Sequence, residues 1–256
     1  MVDLHSHVLP GLDDGARTLE ESVEMIRMAA GAGTTDLVAT PHANLEYSFD
    51  QTRTEEKLAE LAEKSGGVVR LYPGCDFHLS IDNIHDALRN PAKYTINHKN
   101  YLLVEFADTL IPKPTEEVFA RMGNAGLIPV VTHPERNFLL HTQLDRLIRW
   151  VENGCLMQVT AASFLGRFGT EARDFARLLM DRGAVHFVAS DAHDCQDRTT
   201  RLDEAYEHVR KRWGGERAER LFVANPRAVL TGDPLPEAGE PAPEIAPAPK
   251  WYQFWR

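Results

Sequence analysis

The sequence has few cysteines and no long apolar run. Its 256 residues include three cysteines, Cys75, Cys155 and Cys195, without CxxC spacing, so neither a disulfide framework nor a thiolate zinc site is expected. No apolar run approaches the roughly 20 residues that a membrane-spanning helix needs. Met1 is not followed by a basic segment and an apolar stretch, as in a secretory signal. We therefore predict a cytoplasmic protein without a membrane span.

Positive charge is also scarce. The chain has 28 Lys and Arg residues against 38 Asp and Glu residues, a formal net charge of −10. Such a chain repels a polyanion at long range, and no stripe of Lys and Arg interleaved with aromatic residues is present. Nucleic acid is therefore not an expected partner, whereas a homo-oligomer is compatible with the sequence.

Short apolar or β-branched runs alternate with helical patterns. The seven runs lie at residues 2–4, 36–40, 68–72, 101–104, 128–132, 156–160 and 186–189. Apolar spacing of three and four residues predicts helices at 19–32, 55–63, 115–124, 144–152, 172–182, 200–213 and 216–222. Buried strands joined by helices indicate a parallel sheet, and seven such units suit a barrel related to the (β/α)8 type. An open doubly wound sheet is the alternative.

The composition changes near the C-terminus. Asn225-Pro226 indicates that helical structure stops there. From residue 233 the chain is rich in Pro, Ala and Glu, and it ends on Trp251-Tyr252-Gln253-Phe254-Trp255-Arg256. We predict one folded domain at residues 1–232 and an extended Pro-rich tail at residues 233–256.

Residues of the types that bind metals or phosphate follow the predicted strands. In order along the chain they are His5 and His7, His42, Asp76, His133 with Arg136, and Asp191 with His193. The carboxyl ends of parallel strands share one face, so these side chains should converge. Residues i and i+2 of an extended segment point the same way, so the His-Ser-His motif can hold one ion, and the Asp-Ala-His motif repeats that geometry.

The turn behind the first motif supplies a further candidate. Asp14 is the expected ligand there, Gly15 permits the tight return, and Asp13 suits an N-cap or turn position equally well. His and Asp ligands without thiolate favour two or three ions of manganese, iron or zinc.

The expected charge of the site suggests its substrate. Two or three divalent ions and Arg136 would outweigh the carboxylates of Asp14, Asp76 and Asp191, and that positive excess suits a phosphate dianion. Glu105 ends the fourth strand at the same rim, either as an orienting group or proton carrier, or only as a partner of Arg136. We take Arg136, Glu105 and Asp14 as the catalytic candidates.

Several longer motifs occur in a characteristic order. They are Asp3-Leu4-His5-Ser6-His7, Asp13-Asp14-Gly15, Ala39-Thr40-Pro41-His42, Tyr72-Pro73-Gly74-Cys75-Asp76, Leu103-Val104-Glu105-Phe106, Thr132-His133-Pro134-Glu135-Arg136, Phe164-Leu165-Gly166-Arg167-Phe168-Gly169, Ala189-Ser190-Asp191-Ala192-His193 and Asn225-Pro226. The set resembles the PHP (polymerase and histidinol phosphatase) superfamily, and within it the bacterial protein-tyrosine phosphatases of capsule and exopolysaccharide loci. The resemblance extends from residue 1 to about residue 234.

The resemblance implies a distorted seven-stranded (β/α)7 TIM-like barrel, up to three metal ions, commonly manganese, and hydrolysis of phosphotyrosine on the autokinase that regulates polysaccharide export. On this pattern Arg136 holds phosphate, and the metal ligands are His5, His7, Asp14, His42, Asp76, His133, Asp191 and His193. Asp76 stands where glutamate is usual, so its role as a bridging ligand is the weakest assignment. The rival functions are a PHP phosphatase for a small ester such as histidinol phosphate and a metal-dependent amidohydrolase.

Overall fold

Parallel strands alternate with helices along the chain. The computed structural model describes residues 1–236. Its strands are β1 Val2–Asp3, β2 Asp36–Ala39, β3 His42–Ala43, β4 Arg70–Pro73, β5 Asp76–His78, β6 Tyr101–Glu105, β7 Ile128–Thr132, β8 Leu156–Thr160 and β9 Phe187–Ala189. They form two sheets, ordered β1-β2-β4 and β3-β5-β6-β7-β8-β9, and every pair is parallel. The prediction of an α/β fold with a parallel sheet is confirmed.

The helices follow the apolar spacing of the sequence. They are α1 Leu19–Gly31, α2 Gln51–Lys64, α3 Ile81–Arg89, α4 Thr115–Asn124, α5 Phe138–His141, α6 Leu144–Glu152, α7 Ala161–Phe164, α8 Gly169–Asp181, α9 Asp203–Trp213, α10 Gly215–Glu219 and α11 Asn225–Thr231. The predicted stop at Asn225-Pro226 is wrong. Pro226 lies in the first turn of α11, which continues from a π-helical turn at Arg220–Ala224 without a break in the helical backbone.

Two short strands that were not predicted follow the second and third predicted strands. The chain breaks at Thr40-Pro41 between β2 and β3, and at Gly74-Cys75 between β4 and β5. The hydrogen bonds continue across both breaks, since Gly74 N donates to Ala39 O (2.9 Å) and Asp76 N donates to Pro41 O (3.1 Å). A Cβ on Gly74 would lie 2.7 Å from Val38 Cγ1, so the close approach requires glycine. The breaks place His42 and Asp76 side by side as register partners.

The ends of the first and last strands also meet. Ser6 and Ala192 form a parallel bridge, in which His7 N donates to Ala192 O (2.8 Å) and Asp191 N donates to His5 O (2.9 Å). On the other side of Ser6, Thr40 N donates to Ser6 O (2.8 Å). Both polar motifs of the sequence are therefore held by backbone hydrogen bonds at one point.

Buried side chains from both sheets pack together beneath these strand ends. One apolar cluster combines residues of β1, β2, β6, β7, β9 and α11, among them Val2, Val38, Leu103, Val130 and Phe187. A second cluster fills the space between the larger sheet and the helices outside it. The apolar core thus fixes the strands, and their carboxyl ends supply the polar residues of the site.

The predicted tail begins against the folded core. Tyr101 Oη donates to Asp233 O (2.6 Å), and Leu235 packs against the apolar cluster beneath the strands. The remainder of the predicted tail, residues 237–256 with the aromatic end, lies outside the described residues. Within residues 1–236, no helix combines the length and the apolar composition of a membrane span.

Candidate metal centre

Four groups of His, Asp and Glu side chains converge at the strand ends. Within each group the ligand atoms lie within 4.8 Å of one another, and the groups are His7, Asp14, His42 and His193; His5, His7 and Asp76; His5, His133 and Asp191; and His42, Asp76 and Glu105. The fold therefore brings together all eight residues that the sequence suggested as ligands, and it adds Glu105 to them. Shared members make the groups neighbours in one cluster.

The two histidines of the first motif are oriented from behind. His5 Nδ1 donates to Gln158 Oε1 (2.9 Å), and His7 Nδ1 donates to Asp13 Oδ2 (2.7 Å). Each contact leaves Nε2 facing the cluster, and the two Nε2 atoms lie 3.2 Å apart. Ser6 Oγ instead donates to Val38 O (2.8 Å). Such outer contacts fix the imidazole tautomer that binds a metal.

The two aspartates of the turn have different environments. Asp14 is half exposed, and its Oδ1 lies 3.4 Å from His42 Nε2 and 3.5 Å from His193 Nε2. Asp13 is turned inward, and besides holding His7 it accepts hydrogen bonds from Gly15 N (3.0 Å) and His42 N (3.1 Å). The orienting role of Asp13 was missed, because two adjacent aspartates in a turn give no signal of which one points inward.

Asp76 lies between two of the histidines. Its Oδ2 is 3.4 Å from His5 Nε2 and 3.3 Å from His42 Nδ1. Burial alone would raise the pKa of Asp76, but the two histidines hold it well below its usual range, so the carboxylate is ionised. Among residues 1–236, Asp76 Oδ2 and His42 Nδ1 are buried without a hydrogen-bond partner.

The unsatisfied atoms of Asp76 and His42 indicate which kind of ligand the cluster suits. A buried carboxylate oxygen and a buried imidazole nitrogen are costly unless a hydrogen bond or a metal satisfies them. The nitrogen and oxygen donors of the cluster are those that borderline and hard divalent cations prefer. The residues present therefore fit divalent metal ions.

Asp191 joins the cluster to two arginines. Its Oδ1 lies 3.5 Å from His5 Nε2 and 3.4 Å from His7 Nε2, while its Oδ2 accepts hydrogen bonds from Arg136 Nη1 and Arg198 Nη2. Among the described residues the carboxylate paired with Arg136 is therefore Asp191, and the alternative that Glu105 pairs with Arg136 is not observed. Arg198 was missed, because no strand precedes it and nothing local marks it.

An aromatic ring positions the first of these arginines. The Arg136 guanidinium lies 4.3 Å from the centroid of the Phe168 ring, and that of Arg198 lies 6.0 Å from it. Stacking on an aromatic face limits the directions that a guanidinium can take. The segment that contains Phe168 thus contributes to the site although it supplies no metal ligand.

Two residues of the site have unusual backbone conformations. His133 and Asp191 have positive φ values of 32° and 51°. Such values are rare for residues other than glycine, and residues that adopt them cluster at functional sites. Burial, followed by the charge of Arg136, lowers the pKa of His133 to about 3. The imidazole is therefore neutral, which is the form that binds metals.

The remaining histidines lie outside the four groups. His78 is the nearest, with Nδ1 3.9 Å from Glu105 Oε2. His141 bonds to the carbonyl oxygen of Glu135, and His186 Nδ1 accepts a hydrogen bond from Met157 N (3.1 Å). These contacts give His141 and His186 structural roles and leave His78 at the edge of the cluster.

An open cavity of about 420 Å³ adjoins the cluster. Glu105, His133 and Arg136 line it on the side of the cluster. Its other walls are lined by Leu45, Phe106 and Leu140 together with the carboxylates of Glu46 and Asp108. The cavity thus joins the charged residues of the cluster to a lining that combines apolar and acidic side chains.

The overlapping groups of imidazoles and carboxylates form a metal site on a parallel α/β fold. Two guanidiniums and a cavity adjoin it, and this combination suits phosphate chemistry. The family described as capsular polysaccharide synthesis, CpsB/CapC, matches residues 1–231. The chain belongs to this family.

Individual relatives extend over nearly the same length. CapC of Staphylococcus aureus is 35% identical over 91% of this chain and 92% of its own, and the tyrosine-protein phosphatase YwqE of Bacillus subtilis is 32% identical over 84% and 86%. A crystal structure from work on YwqE and on CpsB of Streptococcus pneumoniae superposes with a TM-score of 0.86 at 31% identity, over 92% of this chain and 96% of the other. YwqE and CpsB are described there as metal-dependent tyrosine phosphatases.

Proposed function

We propose that this protein is a metal-dependent phosphatase that hydrolyses phosphotyrosine in proteins. The observation that carries the proposal is the cluster of four overlapping ligand groups beside a cavity that Arg136 also lines. The family membership and the tyrosine phosphatases among the relatives support the same activity.

We assign the ligands to the residues whose donor atoms face the cluster, namely His5, His7, Asp14, His42, Asp76, Glu105, His133, Asp191 and His193. The shared members of the groups support two or three neighbouring ions, and manganese is favoured by the resemblance noted above. Asp76 belongs to two groups and would help to hold metal in both, with a side chain one methylene shorter than the glutamate that is usual at this position.

Bound divalent ions would supply Lewis-acid stabilisation of the phosphoryl oxygens and would activate the attacking water. Arg136 and Arg198 would bind the outer phosphoryl oxygens, since both guanidiniums already point to one carboxylate oxygen at the edge of the cluster. Asp14 is the half-exposed carboxylate, and Glu105 lines the cavity, so these two are the candidates for moving a proton between the site and solvent. Asp13 and Gln158 would hold the first two histidines in place.

The form of the cavity supports an aromatic ester as substrate. Phe106 and Leu140 line the same cavity as Arg136, so the ring of a phosphotyrosine would pack against them when its phosphoryl group reached Arg136. The protein that carries this phosphotyrosine would be the cytoplasmic tail of an autokinase that regulates polysaccharide export. This partner follows from the resemblance, and we propose a cytoplasmic location for the protein.

We also propose that the two sheets form one distorted seven-stranded (β/α)7 barrel, with residues 1–232 as the catalytic domain. The hydrogen bonds across the breaks in the second and third strands support a continuous wall there. The bridge between Ser6 and Ala192 supports closure between the first and last strands.

A substrate panel with metal analysis tests the function. With added manganese, we expect phosphate release from a phosphotyrosine peptide to be much faster than from histidinol phosphate, and a chelator to stop it. His5→Ala should lower the metal content, and Arg136→Ala should chiefly raise KM with less loss of metal. A preference for histidinol phosphate would refute the tyrosine assignment, and unchanged metal content in His5→Ala would refute the ligand assignment.

A further inference from the structure

A second cavity lies on the other side of Arg136. It has a volume of about 370 Å³, and the residues that line it include Phe138, His141, Phe168 and Thr170. Arg136 lines both cavities, Asn137 lines the first, and Phe138 lines the second. The short segment from Arg136 to Phe138 therefore separates the position of the phosphoryl group from a second recess.

Three of the residues that line this recess are aromatic, namely Phe138, His141 and Phe168, and its charged lining residues are Glu135, Arg136 and Glu171. Phe138 is 69% exposed, and its ring lies edge-on to that of His141 at 5.5 Å. Phe168 lines the opposite part while its ring face contacts the Arg136 guanidinium. When an apolar group covers an exposed phenylalanine beside a preformed recess, the burial of apolar surface stabilises the complex.

Exposed apolar side chains are few, and two of them flank the site. The large apolar residues that are exposed within residues 1–236 are Leu45, Val68, Ile81, Leu110 and Phe138. Leu45 lines the first cavity and Phe138 lines the second. Exposed apolar residues that border a polar site are typical of contacts with a ligand or partner.

Because Arg136 lines both cavities, the substrate bound in the first cavity indicates what can occupy the second. A small phosphoester whose phosphoryl group reached Arg136 would occupy the first cavity alone. A peptide continues past its phosphotyrosine, so a neighbouring side chain of that peptide can enter the second cavity without a separate binding event. The rings of Phe138 and Phe168 offer apolar surface that an apolar side chain of the peptide would cover.

We propose that the second cavity binds an apolar side chain of the substrate peptide close to the phosphotyrosine, and that Phe138 is its main contact. This inference rests on the proposed function and adds a determinant of peptide specificity to it. Phe138 is thus a specificity residue that contacts the substrate away from the reacting atoms.

Phosphotyrosine peptides with a single leucine test the proposal. The peptides share one glycine-rich sequence around the phosphotyrosine. Each peptide carries a single leucine, placed at one of the two positions before or one of the two positions after the phosphotyrosine. For the manganese-loaded wild-type protein we expect leucine at one of these positions to raise kcat/KM about ten-fold over the all-glycine peptide, since covering roughly half of a phenylalanine side chain gives about that factor.

Two variants and a control decide the role of Phe138. Phe138→Ala should remove the leucine advantage, and Phe138→Leu should keep most of it. Val68→Ala should retain it fully, because Val68 is an exposed apolar residue that lines neither cavity. The ratio to p-nitrophenyl phosphate hydrolysis in each variant corrects for changes in metal content.

The outcomes separate this inference from the proposed function. Absence of a leucine advantage at every position, or an advantage that persists in Phe138→Ala, overturns the inference while phosphotyrosine hydrolysis stands. Hydrolysis of p-nitrophenyl phosphate without hydrolysis of any phosphotyrosine peptide overturns both.

Discussion

Asp13 should control metal affinity although it is not proposed as a ligand. Its Oδ2 accepts hydrogen bonds from His7 Nδ1 (2.7 Å) and His42 N (3.1 Å), and its Oδ1 accepts one from Gly15 N (3.0 Å). The variant Asp13→Asn replaces one carboxylate oxygen by an amide NH2 group. That NH2 group must then face another N–H donor, either those of His7 and His42 or that of Gly15. In both orientations at least one hydrogen bond is lost, and the imidazole of His7 is held less firmly.

The expected loss follows from these contacts. Removing an outer partner of a metal-binding histidine lowers metal affinity about 10- to 100-fold, which corresponds to about 1.4–2.7 kcal/mol. This agrees with the loss of one hydrogen bond to a charged acceptor, about 1.5–3 kcal/mol. The fold should persist, because the substitution changes neither the size of the side chain nor the turn residue Gly15.

Metal titration provides the assay. Chelator-treated protein is equilibrated with buffered manganese over a range of free concentrations, and bound metal is measured by atomic emission while circular dichroism monitors the fold. Asp50→Asn is the matched control, because Asp50 caps α2 through Arg53 N (3.1 Å) and asparagine caps a helix equally well. If Asp13→Asn and wild type were half-saturated at the same manganese concentration, the orienting role of Asp13 would be refuted.

Three further predictions concern stability and charge. In urea denaturation Gly15→Ala should lose about 3 kcal/mol or more, because its Cβ would lie 2.1 Å from His7 O, whereas Gly31→Ala, with nothing within 4 Å, should be neutral or slightly stabilising. Burial lowers the pKa of His186 to about 4, so below about pH 6.5 the unfolded state binds a proton that the folded state does not. Between pH 7.5 and pH 5 the free energy of unfolding of wild type should fall by about 2 kcal/mol more than that of His186→Gln. Equal falls in the two proteins would contradict this. Glu46 and Asp108 line the cavity, so lysine beside the phosphotyrosine should be favoured over glutamate by about two- to five-fold per charge at low salt; replacing both carboxylates by lysine should invert the preference in kcat/KM.

The positions of the ligands could be predicted because they depend on simple periodicities. Apolar runs alternating with helical spacing define the parallel strands, and His5, His42, Asp76, His133 and Asp191 each follow one of these runs closely. The carboxyl ends of parallel strands share one face. The convergence of these residues then follows from topology alone.

Other features depend on contacts between distant segments. Arg198 acquires its place through Asp191, and Gln158 through His5. Gln158 is a strand residue, and Arg198 lies in an irregular loop, so neither has a local pattern that distinguishes it. The interruption at Gly74-Cys75 likewise depends on the approach of Val38 and Thr40, which only the folded chain shows.

The bridge between Ser6 and Ala192 has a consequence for synthesis of the chain on the ribosome. His5 and His7 precede their partners Asp191 and His193 by almost two hundred residues along the chain. Such long-range pairing makes folding slow relative to local helix formation. The nascent chain therefore lacks a complete metal cluster until the segment with Asp191 and His193 has emerged, so the complete site can bind metal only after most of the domain has been made.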